Sequence, residues 1–165
     1  MVQNMSMTEI QLTQGKIARV DDEDAAILNR YSWFAQSGQW KKYYAGAKIR
    51  GKLVLMHVFL MKPPSGVEID HRDGDGLNNQ RRNLRICLHI DNTRNQKIRS
   101  TNRSGFKGVY FHKKSKKWAA SIFAGKTFHL GLFDDKDSAA KTYDDAAERM
   151  HGEFALTNKK LGLLN

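Results

Sequence analysis

The chain has 165 residues, 40% of them apolar, which allows one ordinary domain or two small ones around a modest core. Lys and Arg outnumber Asp and Glu by 28 to 17, a formal charge of +11 that favours a polyanionic partner, because each cation placed on a phosphate releases condensed counterions. The lone cysteine, Cys87, excludes an intramolecular disulfide and a Cys-based zinc site; no apolar run reaches the length of a membrane span, and "MVQNMSMTEIQLTQ" lacks the basic start and apolar stretch of a secretory signal, so a reducing cytosol is the expected setting.

Taken in chain order, "IQLTQGKIARVDD" alternates about Gln14-Gly15 and predicts a hairpin. Asp21 to Asp24 can open a short helix running to about Arg30. "YSWFAQ" and "KKYYAGAKIRG" are rich enough in aromatic residues for two strands, with a turn at Ser37-Gly38. "KLVLMHVFLMKPP" reads as a buried helix stopped by Pro63-Pro64. "VEID" and "LRICL" read as short strands around a polar loop, "IDNTRNQKI" as a helix and "RSTNRSG" as a linker. Three strands follow, "GVYFHKK", "KWAASIFA" and "KTFHLGLF", with turns at 114–116 and Gly125. The last helix, "SAAKTYDDAAERMHG", would be capped by Asp135 or Asp137 and stopped at Gly152. It shows one face of Ala139, Ala140, Tyr143, Ala146, Ala147 and Met150.

Charge is unevenly spread. From Tyr31 to Val67, and again from Asn92 to Phe133, the chain holds Lys and Arg but no acid. Long single-sign stretches with interleaved aromatics point to a nucleic-acid footprint. Acid gathers instead in "EIDHRDGDGLNNQRRNLR", where Glu68, Asp70, Asp73 and Asp75 surround His71. An EF-hand reading of this loop puts His71 and Arg82 at ligand positions, which excludes it. A plain polar turn is the simpler alternative. On a hairpin followed by a helix, however, Asn83 returns to His71 and Asn92 points back to Asp70, so carboxylate, amide and imidazole converge.

Those residues carry a resemblance. Asp70-His71, Asn83-Leu84 and Asp91-Asn92, with Met56-His57 and Pro63-Pro64-Ser65-Gly66 upstream, resemble the HNH nucleases of ββα-metal fold in their phage and homing-endonuclease branch. The likeness covers nearly the whole first hundred residues. It implies hydrolysis of DNA phosphodiester bonds to a 5′ phosphate and a 3′ hydroxyl. His71 would be the general base, because neutral imidazole can take a proton from water near pH 7. Asp70 and Asn92 would offer oxygen ligands to one Mg²⁺ or Mn²⁺, with no zinc expected. Asn83 would hold the loop and orient His71. His57 would support the site or simply fill the core, and Arg72, Arg81, Arg82, Arg85 and Arg94 flank it as candidate phosphate contacts.

The remainder resembles the ethylene-response-factor (apetala-type) DNA-binding domain, through "KGV" at 107–109, "KWAASI", "LGLF", "SAAKTYDDAA", Gly152, Ala155 and Asn158. In that family a three-stranded sheet lies in the major groove with a helix packed behind it. The residues matching its DNA-facing positions are Lys107, Tyr110, His112, Lys114, Lys117, Phe123, Thr127 and His129. Tyr, His, Phe and Thr stand where the plant proteins carry Arg and Trp, so fewer bidentate guanine contacts are expected.

The expected chain is therefore α+β: an HNH ββα-metal nuclease module (1–99), a basic linker (100–103), a three-stranded antiparallel sheet packed on one helix (104–158) and a tail (159–165). Arg94, Lys97, Arg99 and Arg103 would bridge the modules along double-stranded DNA. A free-standing phage or mobile-element homing endonuclease, monomer or homodimer, in a bacterial host cytosol and not at a membrane, is the expected biology. A non-catalytic DNA-binding regulator on a degenerate HNH scaffold, or an RNA-binding or structural basic protein, are the alternatives.

Overall fold

The computed structural model describes residues 6–38, 42–94, 98 and 101–164. The chain is α+β, mostly sheet, and divides into two compact units, Met1–Asn92 and Thr93–Asn165.

The first unit opens with an antiparallel hairpin of β1 (Met7–Gln11) and β2 (Ile17–Asp21), closed by a 3-10 turn in which Gln14 takes φ 61°. Helix α1 (Asp22–Leu28) starts at Asp21, as expected. The Asp21 side chain does not cap it, however; the carboxylate accepts from the Arg81 backbone N–H at 2.8 Å. Strands β3 (Phe34–Ser37), β4 (Tyr43–Ile49) and β5 (Lys52–Leu55) form an antiparallel meander in the order β3-β4-β5.

Strand β5 corrects the expectation of one helix from Lys52 to the prolines. Arg50 and Gly51 both adopt positive φ, 50° and 76°, and fold the chain back so that Leu53 pairs with Lys48. That two-residue turn suits the strand twist and claims Lys52–Leu55 for the sheet. Only α2 (Met56–Met61) is helical, ending at Lys62 in the left-handed region just before Pro63.

Strands β6 (Glu68–His71) and β7 (Leu84–Cys87) pair antiparallel, and α3 (His89–Arg94) follows directly. One core joins these pieces, including Val20, Leu28, Trp33, Ala45, Met56, Leu60, Ile69 and Leu84. Leu28 and Val20 are fully buried, each worth about 1.5–3 kcal/mol over exposure.

In the second unit β8 (Val109–His112), β9 (Lys117–Ala124) and β10 (Lys126–Phe133) form an antiparallel sheet with β9 in the centre, backed by α4 (Lys136–His151). Asp135 caps α4, its carboxylate accepting from the Ser138 N–H at 2.7 Å, and Gly152 ends it at φ 53°. Ala139, Ala140, Ala146 and Ala147 are all buried, and their small side chains let α4 lie close on Ala120 and Ile122 of β9. Gly108 is required ahead of β8: φ is +73° and a Cβ would collide with the Tyr143 ring. Among the described residues no helix is long and apolar enough to cross a membrane.

Candidate active site and nucleic-acid face

The loop between β6 and β7 is stitched to the N-terminal hairpin. Arg19 N–H donates to Leu77 O at 2.9 Å, and Asn79 N–H donates to Arg19 O at 2.7 Å. Arg81 sends Nε and Nη2 to the two oxygens of Asp24 at 2.8 and 2.7 Å, and Arg19 Nη2 reaches Asp75 Oδ2 at 2.6 Å. Gly76 permits close approach to β4, since a Cβ there would sit 2.5 Å from Tyr43 O.

Inside this loop Asn83 is a clamp. Its Nδ2 donates to Asp73 Oδ1 (3.0 Å) and Asn78 O (2.8 Å), while its Oδ1 accepts from the Asp73 N–H (3.1 Å). Its backbone carbonyl accepts from the Arg72 N–H, the residue after His71, at 2.9 Å.

The β6–β7 register sets Asp70 opposite Arg85 and His71 opposite Leu84. Arg85 donates to Asp70 Oδ2 from Nε (2.8 Å) and Nη2 (2.6 Å), with both side chains 6% exposed. His71 is buried against two other rings, with centroids 4.9 Å from His57 and 5.9 Å from Tyr44. Burial lowers the His71 pKa from its ordinary value, against upward pulls from the Asn79 side chain and the carboxylates of Asp73, Asp70 and Asp75. Burial, helped by His71, pushes His57 down to about 3.

A cleft in this unit is lined by Lys42, Tyr44, Ile69, Asp70, His71, Gly74, Gly76 and Asn92. It therefore gathers Asp70, His71 and Asn92, while Asn83 works behind it. At its margin Glu68 bridges two residues of α3: Oε2 accepts from Asn92 Nδ2 at 2.6 Å, and Oε1 meets His89 Nδ1 at 2.7 Å. The Asn92 bond, then the His89 bond, holds the Glu68 carboxyl below its usual range.

The flanking cations differ in availability. Arg81 is engaged by Asp24, whose hydrogen bonds raise its pKa. Arg72 and Arg82 are exposed, with Arg82 Nη2 3.4 Å from Gln80 Oε1. Arg94 ends α3, and Arg103 is exposed ahead of the second sheet. Lys97 and Arg99 lie outside the described residues.

On the second sheet, cross-strand partners share a face. His112 pairs with Lys117, Ala119 with Tyr110 on one side and Leu132 on the other, Phe123 with Thr127, and Ser121 with His129. Their neighbours Val109, Ala120, Ile122 and Phe128 pack toward α4. A bulge between His129 and Gly131 shifts the register by one and lets Leu130 pack inward. The face away from the helix thus carries Tyr110, His112, Lys117, Phe123, Thr127 and His129, with Lys114 exposed in the adjoining turn. Lys117 Nζ is paired with Asp134 at 3.0 Å. Lys107 is half-buried, and both its backbone groups bond the Asn158 amide; burial pushes its amine down to about 8, against the pull of Asp144.

Protein 3.8 of Escherichia phage T7 is 37% identical over 93 residues, covering 56% of this chain and 76% of that protein. The chain belongs to the Protein 3.8 family. A second relative of this Protein 3.8 family member, Uncharacterized HNH endonuclease L560 of Acanthamoeba polyphaga mimivirus, is 29% identical over 148 residues, covering 88% of the chain and 76% of that protein. Residues 104–153 match the AP2 domain family. APETALA2-like protein 2 of Oryza sativa subsp. indica is 43% identical over 58 residues, 33% of this chain and 13% of that protein. No solved structure matches.

Four features of the site had not been read from the sequence. They are the Arg85–Asp70 pair, the Glu68 bridge, Asn79 beside His71, and Tyr44 in the cleft wall. Only Glu68 had a signal, since a residue two before Asp70 on a strand shares its face.

Proposed function

We propose that this protein is a metal-dependent DNA endonuclease of the HNH type, phage-encoded and free-standing, whose first unit hydrolyses phosphodiester bonds while its AP2 unit holds duplex DNA. The observation that carries the reading is the meeting of Asp70, His71 and Asn92 in one cleft. The mimivirus relative's HNH name and the AP2 match support it.

The donor set fits a hard divalent cation. Among the described residues no group of three His, Cys, Asp or Glu side chains forms a metal cage. One carboxylate, Asp70, and one amide, Asn92, share the cleft, and Mg²⁺ is commonly held by one or two carboxylates with water and phosphate oxygens completing its shell. When bound, the cation would neutralise phosphate charge and stabilise the leaving 3′ oxygen.

The chain's own residues do the rest. The His71 imidazole, kept neutral by burial, accepts a proton from the attacking water. Asn83 ties down the chain that follows His71, at Arg72, Asp73 and Asn78, and so fixes where the ring stands. One such site per chain cuts one strand, leaving a 5′ phosphate and a 3′ hydroxyl. Tyr110, His112, Lys114, Lys117, Phe123, Thr127 and His129 meet DNA on the open sheet, with Lys107 at its edge. Arg72, Arg82, Arg94, Lys97, Arg99 and Arg103 follow the phosphates, and Arg81 does so only through what Asp24 leaves free.

A second reading has one observation in its favour: Arg85 already occupies Asp70 Oδ2, as in a regulator that has given up the metal. A plasmid-nicking assay with Mg²⁺ separates the two. Nicking by the wild type that vanishes in His71→Ala supports the nuclease. Duplex binding with no metal-dependent nicking in the wild type supports the regulator.

A further inference from the structure

We propose that Glu68 is a positioning residue that sets the Asn92 amide with its nitrogen turned away, so that its oxygen is the atom offered to a divalent cation in the cleft; this rests on the nuclease reading above.

The argument starts from what an amide can do. Asn92 carries two donors on Nδ2 and an acceptor on Oδ1, and a half-turn about its last torsion exchanges them. Only the oxygen can hold a hard cation. An amide free to turn would offer the wrong atom part of the time. An ionised carboxylate accepts and cannot donate, so Glu68 Oε2, 2.6 Å from Nδ2, admits only one of the two orientations.

Glu68 is itself fixed. His89 Nδ1 lies 2.7 Å from its other oxygen, and His89 and Asn92 stand three apart on α3, on one helical face. One carboxylate thus spans a turn of α3 and joins it to β6, the strand that carries Asp70 and His71. Glu68 and Asp70 alternate on β6, so the residue that turns the amide and the residue that shares the cleft with it project from the same strand face. A glutamine at 68 would lose the discrimination, because it could donate to Asn92 Oδ1 as readily as accept from Nδ2.

The test is Mn²⁺ binding to the full chain, read from the free-ion signal in electron paramagnetic resonance at 50 and 500 mM KCl, with the metal-free melting temperature as the folding control. The wild type is expected to bind one Mn²⁺ and Asn92→Ala to lose it. Glu68→Gln is expected to weaken binding about tenfold, the lower end of what loss of a ligand-orienting partner costs. Its melting temperature should match the wild type's, since the Glu68 side chain is 40% exposed. Glu68→Ala removes the acceptor without offering a donor and should weaken binding as well. A weakening that persists at 500 mM salt marks orientation. One that disappears there marks bare charge attraction, which salt screens, and overturns the proposal. Undiminished binding in Glu68→Gln beside impaired binding in Asn92→Ala overturns the proposal and leaves the nuclease reading standing. Wild-type protein that takes up no Mn²⁺, or Asn92→Ala that binds like the wild type, removes the metal reading and this proposal with it.

Discussion

Arg85 holds Asp70 by two hydrogen bonds to a single oxygen, Oδ2, and both side chains are almost wholly buried. The pair explains how an anionic residue can sit beneath a cleft before any cation arrives. Breaking a buried pair by removing one partner costs about 3–5 kcal/mol, because the other charge is stranded. Arg85→Met should therefore destabilise the protein by about that amount in urea unfolding. Asp70→Asn in the same chain should restore much of the loss. Mn²⁺ should raise the melting temperature of Arg85→Met more than that of the wild type, since the ion then replaces the missing cation. Equal Mn²⁺ shifts in the two proteins would detach Asp70 from the metal.

Asn83 acts behind the cleft, and its role predicts a different pattern. Asn83→Asp keeps the shape but replaces both Nδ2 donations, to Asp73 Oδ1 and Asn78 O, with oxygen facing oxygen. At about 1–3 kcal/mol per unsatisfied group, the two losses together should lower stability by about 2–6 kcal/mol. Nicking should collapse as His71 loses its frame, yet Mn²⁺ affinity should hold, because Asn83 does not line the cleft. Urea unfolding, nicking rate and metal titration on one preparation check all three.

How much of this was legible depends on which periodicity carried it. The free face of the second sheet was readable through the family resemblance together with strand alternation, and the structure returns Tyr110, His112, Lys117, Phe123, Thr127 and His129 to one face, while Lys107 precedes the first strand. The local spacing of Asp70, His71 and Asn92 was readable because a hairpin and a following helix return to one place. Strand β5 was misread because a short apolar run has no period to separate strand from helix. The deciding signal was Arg50-Gly51, two residues able to take positive φ. The Arg85–Asp70 pair was invisible until register was known, since four arginines crowd positions 81–85 and 72, and only β6–β7 pairing selects one. The Asp24–Arg81 bond spans 57 residues and leaves no trace in local pattern.

The histidine pair makes acid stability a test of the core. His57 is buried, its Nδ1 has no hydrogen-bond partner among the described residues, and its pKa falls from 6.5 to about 3. The unfolded chain thus binds a proton below pH 6.5 that the fold refuses until about pH 3. A depressed folded-state pKa gives stability that is complete above the unfolded value and lost as pH falls. The loss should be about 1.4 kcal/mol per pH unit for this one group. His71, also lowered, adds in the same direction. The Asn92 and His89 bonds hold Glu68 below the ordinary glutamate range, so its own loss starts only as pH falls through that range. Urea unfolding between pH 6.5 and 4.5 therefore reads mainly the histidines, and His57→Leu should flatten the slope by about 1.4 kcal/mol per pH unit. An unchanged slope would mean that His57 is charged in the fold.

The second sheet predicts an unequal response from two neighbouring lysines. Each Lys neutralising a phosphate contributes about 0.9 to the slope of log affinity on log salt for duplex DNA. Lys114 is exposed in the turn, and Lys114→Ala should lower that slope by nearly the full amount. Lys117 is partly neutralised by Asp134, 3.0 Å away and itself 87% exposed, so Lys117→Ala should lower it less. Asp134→Asn both frees Lys117 and removes a repulsive charge from the edge of the face. It should therefore tighten duplex binding and steepen the salt slope, the opposite of most substitutions in an interface. Fluorescence anisotropy on a labelled duplex at several salt concentrations reads both quantities. If Asp134→Asn leaves affinity and slope where they were, the start of β9 does not approach the phosphates, and the DNA-facing surface must lie elsewhere on the unit.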